Sequence, residues 1–288
     1  MADAHVAVIG GSGLYQMDGL ESVEQVEVPT PFGSTSGPIT LGTLAGLKIA
    51  FLPRHGIGHR IMPTEVPSQA NIYALKTLGV ERIISVSAVG SLQENIHPLD
   101  IVVPDQLIDR TRGPRPGTFF GNGIVAHVGF ADPFCPELSE LMGETAAAAG
   151  ATVHSGGTYV VMEGPMFSTK AESALHRSWG ASIIGMTALP EAKLAREAEL
   201  CYSTLACVTD YDVWHETEEA VSVALVIQNL LQNVKLAKQV LIELAPKLSE
   251  PRSCNCGSAL ENAIITDSAA VPAQIKRDLA PIIGKYVS

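Results

Sequence analysis

The sequence predicts an α/β fold with a central mixed β-sheet flanked by helices, and three observations carry that prediction. Short apolar runs end in glycine, hydroxyl or carboxylate residues. Segments with helical spacing alternate with these runs over nearly the whole chain. Of the 288 residues, 46% are hydrophobic and 17% charged, which supplies the core of one large domain or two small ones.

The first strand is expected over 5–9, an apolar run that stops at Gly10-Gly11-Ser12-Gly13. Further strands follow over 47–52, 82–87, 101–103, 158–162 and 182–186. Helical patterns cover 66–78, 137–149, 169–179 and 190–197, the last opening on Pro190-Glu191 as first-turn preferences require. The clearest helix is late: Val223, Ile227, Leu230, Val234, Ala237, Leu241 and Leu244 form one apolar stripe that should pack along the sheet. A polar connector over 246–256 leads to a short helix over 273–279. No composition shift marks a boundary, so 1–288 read as one domain. Its core spans about 5–248, and a C-terminal helical extension spans about 257–288.

A net charge of −11 argues against nucleic-acid and membrane-surface partners. No uninterrupted apolar run approaches ~18 residues, and the N-terminus lacks a basic-then-apolar leader. A cytoplasmic protein is the expectation. Cys135, Cys201, Cys207, Cys254 and Cys256 are scattered, without paired CxxC or HExxH spacing, so no metal is expected. Cys254 and Cys256 read as reduced surface thiols, or as a strained CxC disulfide if the source is thermophilic.

Chemistry collects at the strand ends. The 10–13 turn offers successive backbone N–H groups. Arg54-His55-Gly56 follows the 47–52 strand and combines a planar donor fork with an imidazole, a pairing suited to an anion. Ser87-Ala88 ends another strand with a hydroxyl and little bulk. Phe167-Ser168 and Met186-Thr187 offer an aromatic wall, an apolar Met and hydroxyls. The run from Leu205 ends in Asp210-Tyr211-Asp212. If the strand stays extended that far, both carboxylates point to one side at the mouth of the sheet, where open α/β sheets bind ligands. Together these clusters suit phosphate, a sugar and a purine in one cleft.

The same residues resemble the trimeric purine nucleoside phosphorylase family, most closely its branch acting on 5′-methylthioadenosine. The resemblance runs from Val6 to about Leu244. It rests on Gly10-Gly11-Ser12-Gly13-Leu14, Thr30-Pro31-Phe32-Gly33, Arg54-His55-Gly56, Ser68-Gln69-Ala70-Asn71-Ile72, Gly90-Ser91-Leu92, Glu163-Gly164-Pro165, Met186-Thr187 and Thr209-Asp210-Tyr211-Asp212-Val213-Trp214. It implies a single-domain phosphorylase/nucleosidase-like fold, assembled as a homotrimer or a dimer of trimers. It implies inorganic phosphate as co-substrate, with no other cofactor, held at Ser12, Arg54, His55, Ser87, Ala88 and Thr187. The ribose would lie on Met186, and Phe167, Ser168, Asp210 and Asp212 would hold the base. Apolar Val223, Val226 and Ile227 would form the 5′ pocket, with His127 arriving from a neighbouring subunit.

Three positions depart from the animal enzymes of that branch. Gly185 replaces an Asn, and Ser12 and Ser87 stand in place of Thr. The tail with Cys254 and Cys256 resembles prokaryotic relatives, some of which are hexameric.

The implied reaction is reversible phosphorolysis of S-methyl-5′-thioadenosine, and of adenosine if the 5′ pocket tolerates it. Asp210 would protonate the purine N7. An ionised carboxylate accepts only, so it selects a 6-amino over a 6-oxo group. The competing expectations are a 6-oxopurine or methylthioinosine phosphorylase, a hydrolytic nucleosidase, a non-catalytic nucleotide-binding protein and an NAD-dependent oxidoreductase.

Overall fold

A computed structural model describes residues 3–11, 13–14, 17–215 and 223–287, with side chains of the last span from 227 onward. Strand β1 (Val6–Gly10) is buried throughout and lies between β4 (Leu47–Pro53) and β5 (Arg82–Ser91), parallel to both. A strand covered on both faces has no polar side, which is why its sequence reads as an unbroken apolar run. Beyond β4 lie β3 (Ile39–Leu44) and the edge strand β2 (Leu20–Val26). The sequence reading missed β2 and β3, and also the strands over 106–110 and 153–155; in β2 five of the seven residues are exposed, as suits an edge.

The other strands are β6 (Ile101–Val103), β7 (Gln106–Arg110), β8 (Val153–Ser155), β9 (Thr158–Met162), β10 (Ile183–Gly185) and β11 (Cys201–Asp210). The sheet is mixed, as the sequence predicts: β10 runs antiparallel to β5 and parallel to β9. Its decisive feature is a fork at β5. One edge of β5 pairs with β11 over its length. The other edge pairs with β1 through Ser85 and with β10 only from Gly90. Residues 86–89 therefore lie where the sheet changes partner, the kind of switch point at which α/β sheets open a crevice.

Side chains alternate across this sheet with period two. Ala7, Ile9, Ile83, Val89, Tyr202 and Ala206 face one core, while Val6, Val8, Ile84, Val86, Cys201 and Leu205 face the other. The first core is covered by α1 (Ser68–Thr77) and α4 (Ala188–Glu197), the second by α2 (Pro136–Ala148) and α5 (Val223–Leu244). Helix α3 (Lys170–Ser178) follows β9 and starts from a capping box between Thr169 and Glu172. Leu189 breaks α4 with extended dihedrals, so regular helix begins at Pro190, consistent with the restriction on a residue that precedes proline. On α5 the predicted stripe is buried at Ala237, Leu241 and Leu244, whereas Ile227 is 51% exposed.

The C-terminal segment carries α6 (Ala273–Asp278) and α7 (Ala280–Ile283). It is not a loose appendage. Leu260, Ala263, Leu279, Ile282 and Ile283 are buried in the same core as α1.

Candidate active site

The fork brings together residues that are about a hundred positions apart in sequence. Ser87 and Thr187 share a 3.0 Å hydrogen bond between their hydroxyls, and Ala88 beside them is exposed. Gly11, Leu14, Ser87, Ala88, Leu230 and Val234 line a small recess between the ends of β1 and β5 and helix α5. Ser12 lies outside the described residues, as do the side chains of Val223 and Val226.

Arg54 departs from the expectation of a guanidinium fork open to an anion. It is 2% exposed, and its fork grips Glu191 at 2.6 Å (Nε) and 3.1 Å (Nη2). It also donates to the carbonyls of Val86 and Ile9 and to Ser85 Oγ. Glu191 also accepts from the Tyr202 hydroxyl at 3.0 Å. Burial works against the Arg54 charge, but Glu191 outweighs it and the pKa is raised above its ordinary value. Glu191, absent from the sequence-based site, is thus the partner that keeps a cation at the base of the fork. An acidic residue in a helix's first turn is too common to mark it in sequence.

His55 was expected to add a charged bond. Burial, with the Arg54 charge second, lowers its pKa to about 4, so at neutral pH it is uncharged. Its Nδ1 lies 2.9 Å from the Ile61 carbonyl and therefore carries the proton, leaving Nε2 as an acceptor. Such a ring bonds the P–OH of monohydrogen phosphate, not a bare phosphate oxygen. His59 stacks on it with centroids 4.4 Å apart.

Asp210 and Asp212 both sit beside Gly90, but not by strand alternation. β11 ends at Asp210 after a register shift, and Asp212 has a left-handed φ of 52°. The extended geometry assumed from sequence is thus replaced by a turn in which the Asp212 N–H donates to Asp210 Oδ1 at 2.8 Å. A Cβ at Gly90 would meet Asp210 Oδ1 at 2.9 Å, so glycine is what admits the pair. Thr209 Oγ1 donates to Asp210 Oδ2 at 2.7 Å. Burial pushes the Asp210 carboxyl up to about 6; the bonds from Thr209 and the Asp212 N–H oppose this, and the Asp212 charge adds to it. Burial also raises Asp212, although the Ser173 and Ser168 hydroxyls beside it pull the other way. Asp212 Oδ2 is buried and makes no hydrogen bond of good geometry, so it is an acceptor still to be filled.

These two shifts oppose each other in stability. The Asp210 pKa is above its unfolded value of 3.8, so its contribution falls as pH rises from about 4 to about 6. That of His55 is below its unfolded value of 6.5, so its contribution rises from about pH 4 to 6.5. Denaturant unfolding across that window should show Asp210→Asn steepening the rise of stability with pH. His55→Gln should change the slope in the opposite sense, and unchanged slopes would refute the assignment.

Strands β9 and β10 carry the other expected contacts. Met186 is half-buried under Gly164, and Arg115 clamps this loop by donating to the Met186 carbonyl at 2.7 Å and to Glu163 Oε1 at 3.1 Å. Neither Arg115 nor Glu163 was among the expected site residues: Glu163 stood out in sequence only as part of the Glu163-Gly164-Pro165 motif, and Arg115 is marked by this tertiary contact alone. Phe167 is 44% exposed and Ser168 is buried. Gly185 has a packing reason: a Cβ there would lie 2.3 Å from the hydroxyl of Tyr159, a ring that is fully buried. Gly185→Ala should cost about 1–3 kcal/mol in chemical denaturation. Adding Tyr159→Phe should recover part of it, since this removes the closest contact and leaves the ring carbons at 3.0 and 3.1 Å.

Helix α5 is tied to the end of β11 by two amides that the sequence reading passed over. Asn229 Nδ2 donates to the Thr209 carbonyl at 2.7 Å, and Asn233 Nδ2 to that of Val208 at 3.0 Å. The apolar residues of α5 that line the recess are Leu230 and Val234, whereas Ile227, expected there, is largely exposed in the single chain. His127 is exposed, in a loop whose N–H donates to the Ala263 carbonyl. Away from the cleft, Cys135, Cys201, Cys254 and Cys256 converge, contrary to the expectation of scattered thiols.

A mixed sheet forked over hydroxyls, a buried Arg–Glu pair and two carboxylates is the frame of a nucleoside-cleaving transferase. The chain belongs to the phosphorylase superfamily, whose sequence profile matches residues 5–246. Within it, the chain is similar to S-methyl-5′-thioadenosine phosphorylases. That of Geobacter sulfurreducens is 57% identical over 282 residues, covering 98% of this chain and 99% of that one. That of Koribacter versatilis is 58% identical, covering 98% and 97%. Among solved structures, a methylthioadenosine phosphorylase sourced from an antarctic soil metagenomic library superposes with a TM-score of 0.93. It is 51% identical, with coverage of 98% and 99%. The Schistosoma mansoni methylthioadenosine phosphorylase, at 34% identity and coverage of 90% and 96%, gives 0.81. Among the described residues no helix is long and apolar enough to cross a membrane.

Proposed function

We propose that this chain is a pentosyltransferase that catalyses the reversible phosphorolysis of S-methyl-5′-thioadenosine to adenine and 5-methylthioribose 1-phosphate. The observation that carries this reading is the buried carboxylate pair beside Gly90, three residues along β5 from the Ser87–Thr187 hydroxyl pair. Three residues of strand span about 10 Å, leaving room for a sugar between base and phosphate.

Monohydrogen phosphate, the co-substrate, sits at the fork. The Ser87 and Thr187 hydroxyls and the Ala88 and Gly11 N–H groups donate to it, and His55 Nε2 accepts from its P–OH. Arg54 lends positive charge from beneath, fixed by Glu191. As the glycosidic bond lengthens, positive charge builds on the sugar and is met by the phosphate, while negative charge builds on the purine. Asp210, whose pKa of about 6 lies near neutrality, gives a proton to N7. Asp210 also faces the 6-amino group and accepts from it together with Asp212, whose Oδ2 makes no hydrogen bond of good geometry within the chain. Met186 supports the ribose and Phe167 the base. Apolar residues of α5 cover the methylthio group, where a 5′-hydroxyl would lose water without gaining a partner.

Exposed Met166, Phe167, Ile227 and Leu231 support a site completed by a neighbouring copy that supplies His127, in a trimer or dimer of trimers in the cytoplasm. Incubation with S-methyl-5′-thioadenosine, adenosine and inosine, each with and without phosphate, tests the reading. Adenine should be released from the first only when phosphate is present. Phosphate-independent release, or release of hypoxanthine alone, would overturn it.

A further inference from the structure

We propose that Cys135, Cys201, Cys254 and Cys256 form a tetrahedral site for one zinc ion that locks the C-terminal segment to the sheet. Their four sulfurs lie within 4.8 Å of one another, and those of Cys201 and Cys254 are 3.3 Å apart. A zinc ion with four thiolates at about 2.3 Å requires sulfur–sulfur edges of about 3.8 Å. The observed spacings bracket that value, so small side-chain rotations suffice. Three of the four residues are buried and Cys254 is half-buried. That is a closed environment of the kind structural zinc sites use, with no open position for a substrate.

The surroundings suit the charge of such a centre. Cys135 is the N-cap of α2, where the positive end of the helix favours a thiolate. Arg252 places Nη1 3.9 Å from Cys201 Sγ. Binding exchanges four thiol protons, released to solvent, for one divalent cation, leaving two net negative charges that these groups partly offset. A cleft lined by Asp105, Asp132, Ser253, Cys254 and Cys256 provides an access route.

The ligands come from the start of α2, the start of β11 and the connector that follows α5, separated by 65, 52 and one intervening residues. No spacing motif reveals them. Cys201 opens β11 and Asp210 closes it, so the metal lies about 30 Å from the reacting base. Its role is structural: it fastens the segment from Cys254 onward.

The test uses the full chain, reduced and freed of metal by a chelator, then titrated with cobalt(II). One equivalent per chain should bind with the intense sulfur-to-cobalt charge-transfer and d–d bands of a tetrahedral thiolate site, and zinc should displace it. The protein purified without chelator should contain about one zinc per chain, and stripping it should lower Tm while leaving the base specificity unchanged. Cys254→Ser with Cys256→Ser should lose the cobalt bands. If that variant fails to fold, the wild-type titration still decides. A reduced wild-type chain that takes up no cobalt, or shows no tetrahedral thiolate bands with it, overturns the proposal. A chain purified with the four cysteines joined as two disulfides and without zinc overturns it equally.

Discussion

Asp210→Asn is expected to lower kcat for S-methyl-5′-thioadenosine by about 10²–10⁴-fold, the usual worth of a positioned general acid. The same change should move base preference towards 6-oxopurine nucleosides. Both effects follow from one atom exchange. The carboxyl, held at about 6 by burial, is partly protonated at neutral pH and can pass that proton to N7. An amide has no such proton. It does offer an N–H donor, which a 6-oxo group accepts and a 6-amino group does not. The backbone should tolerate the change, because the Asn carbonyl oxygen can still accept from the Asp212 N–H. For the wild type, kcat should decline as Asp210 ionises above about pH 6, whereas the variant's profile should lose that limb. Phosphate ionises in the same range, and comparing the two enzymes removes its effect. An Asn variant that keeps wild-type adenine release and the same limb would sink the assignment.

Glu191→Leu is expected to destabilise the fold by about 3–5 kcal/mol, the range for removing one partner of a buried ion pair. The cost arises less from the lost attraction than from the Arg54 guanidinium left charged and 2% exposed in the core. Tyr202 and Ser85 lose an acceptor at the same time. The double change Arg54→Met with Glu191→Leu should recover most of the stability, since apolar groups of similar volume often replace a buried pair at little cost. It should not recover phosphorolysis, because the cation beneath the phosphate site is gone. Unfolding curves and phosphate KM for both variants check this pairing. A single variant as stable as the double would show that the ion pair is not what holds the fork.

The parallel core strands were legible because burial on two faces removes polar residues from a strand, leaving runs such as Val6–Gly10. The long helix was legible from its stripe. Edge strand β2 was not, because five of its seven residues are exposed and its apolar residues recur every third position instead of alternating. At the site, Arg54, His55, Ser87, Thr187, Asp210 and Asp212 were all chosen as polar groups at strand ends. What they do there was misjudged in two cases. Arg54 spends its fork on Glu191, and His55 is neutral because burial and the adjacent guanidinium disfavour its charge. The two aspartates were placed together for the wrong geometric reason, since a left-handed turn, not alternation, brings them to Gly90.

By itself, then, the sequence determined the fold class, the strand-end chemistry and the inventory of donors, acceptors and apolar walls, all of which depend on local composition and periodicity. Only the tertiary structure decided which charges are buried against which partners, where the sheet forks, and that four cysteines spread from 135 to 256 meet at one point. The physical reason is that pKa values, ion pairing and metal geometry depend on distances of a few ångströms between groups far apart in the chain. No local pattern encodes those distances.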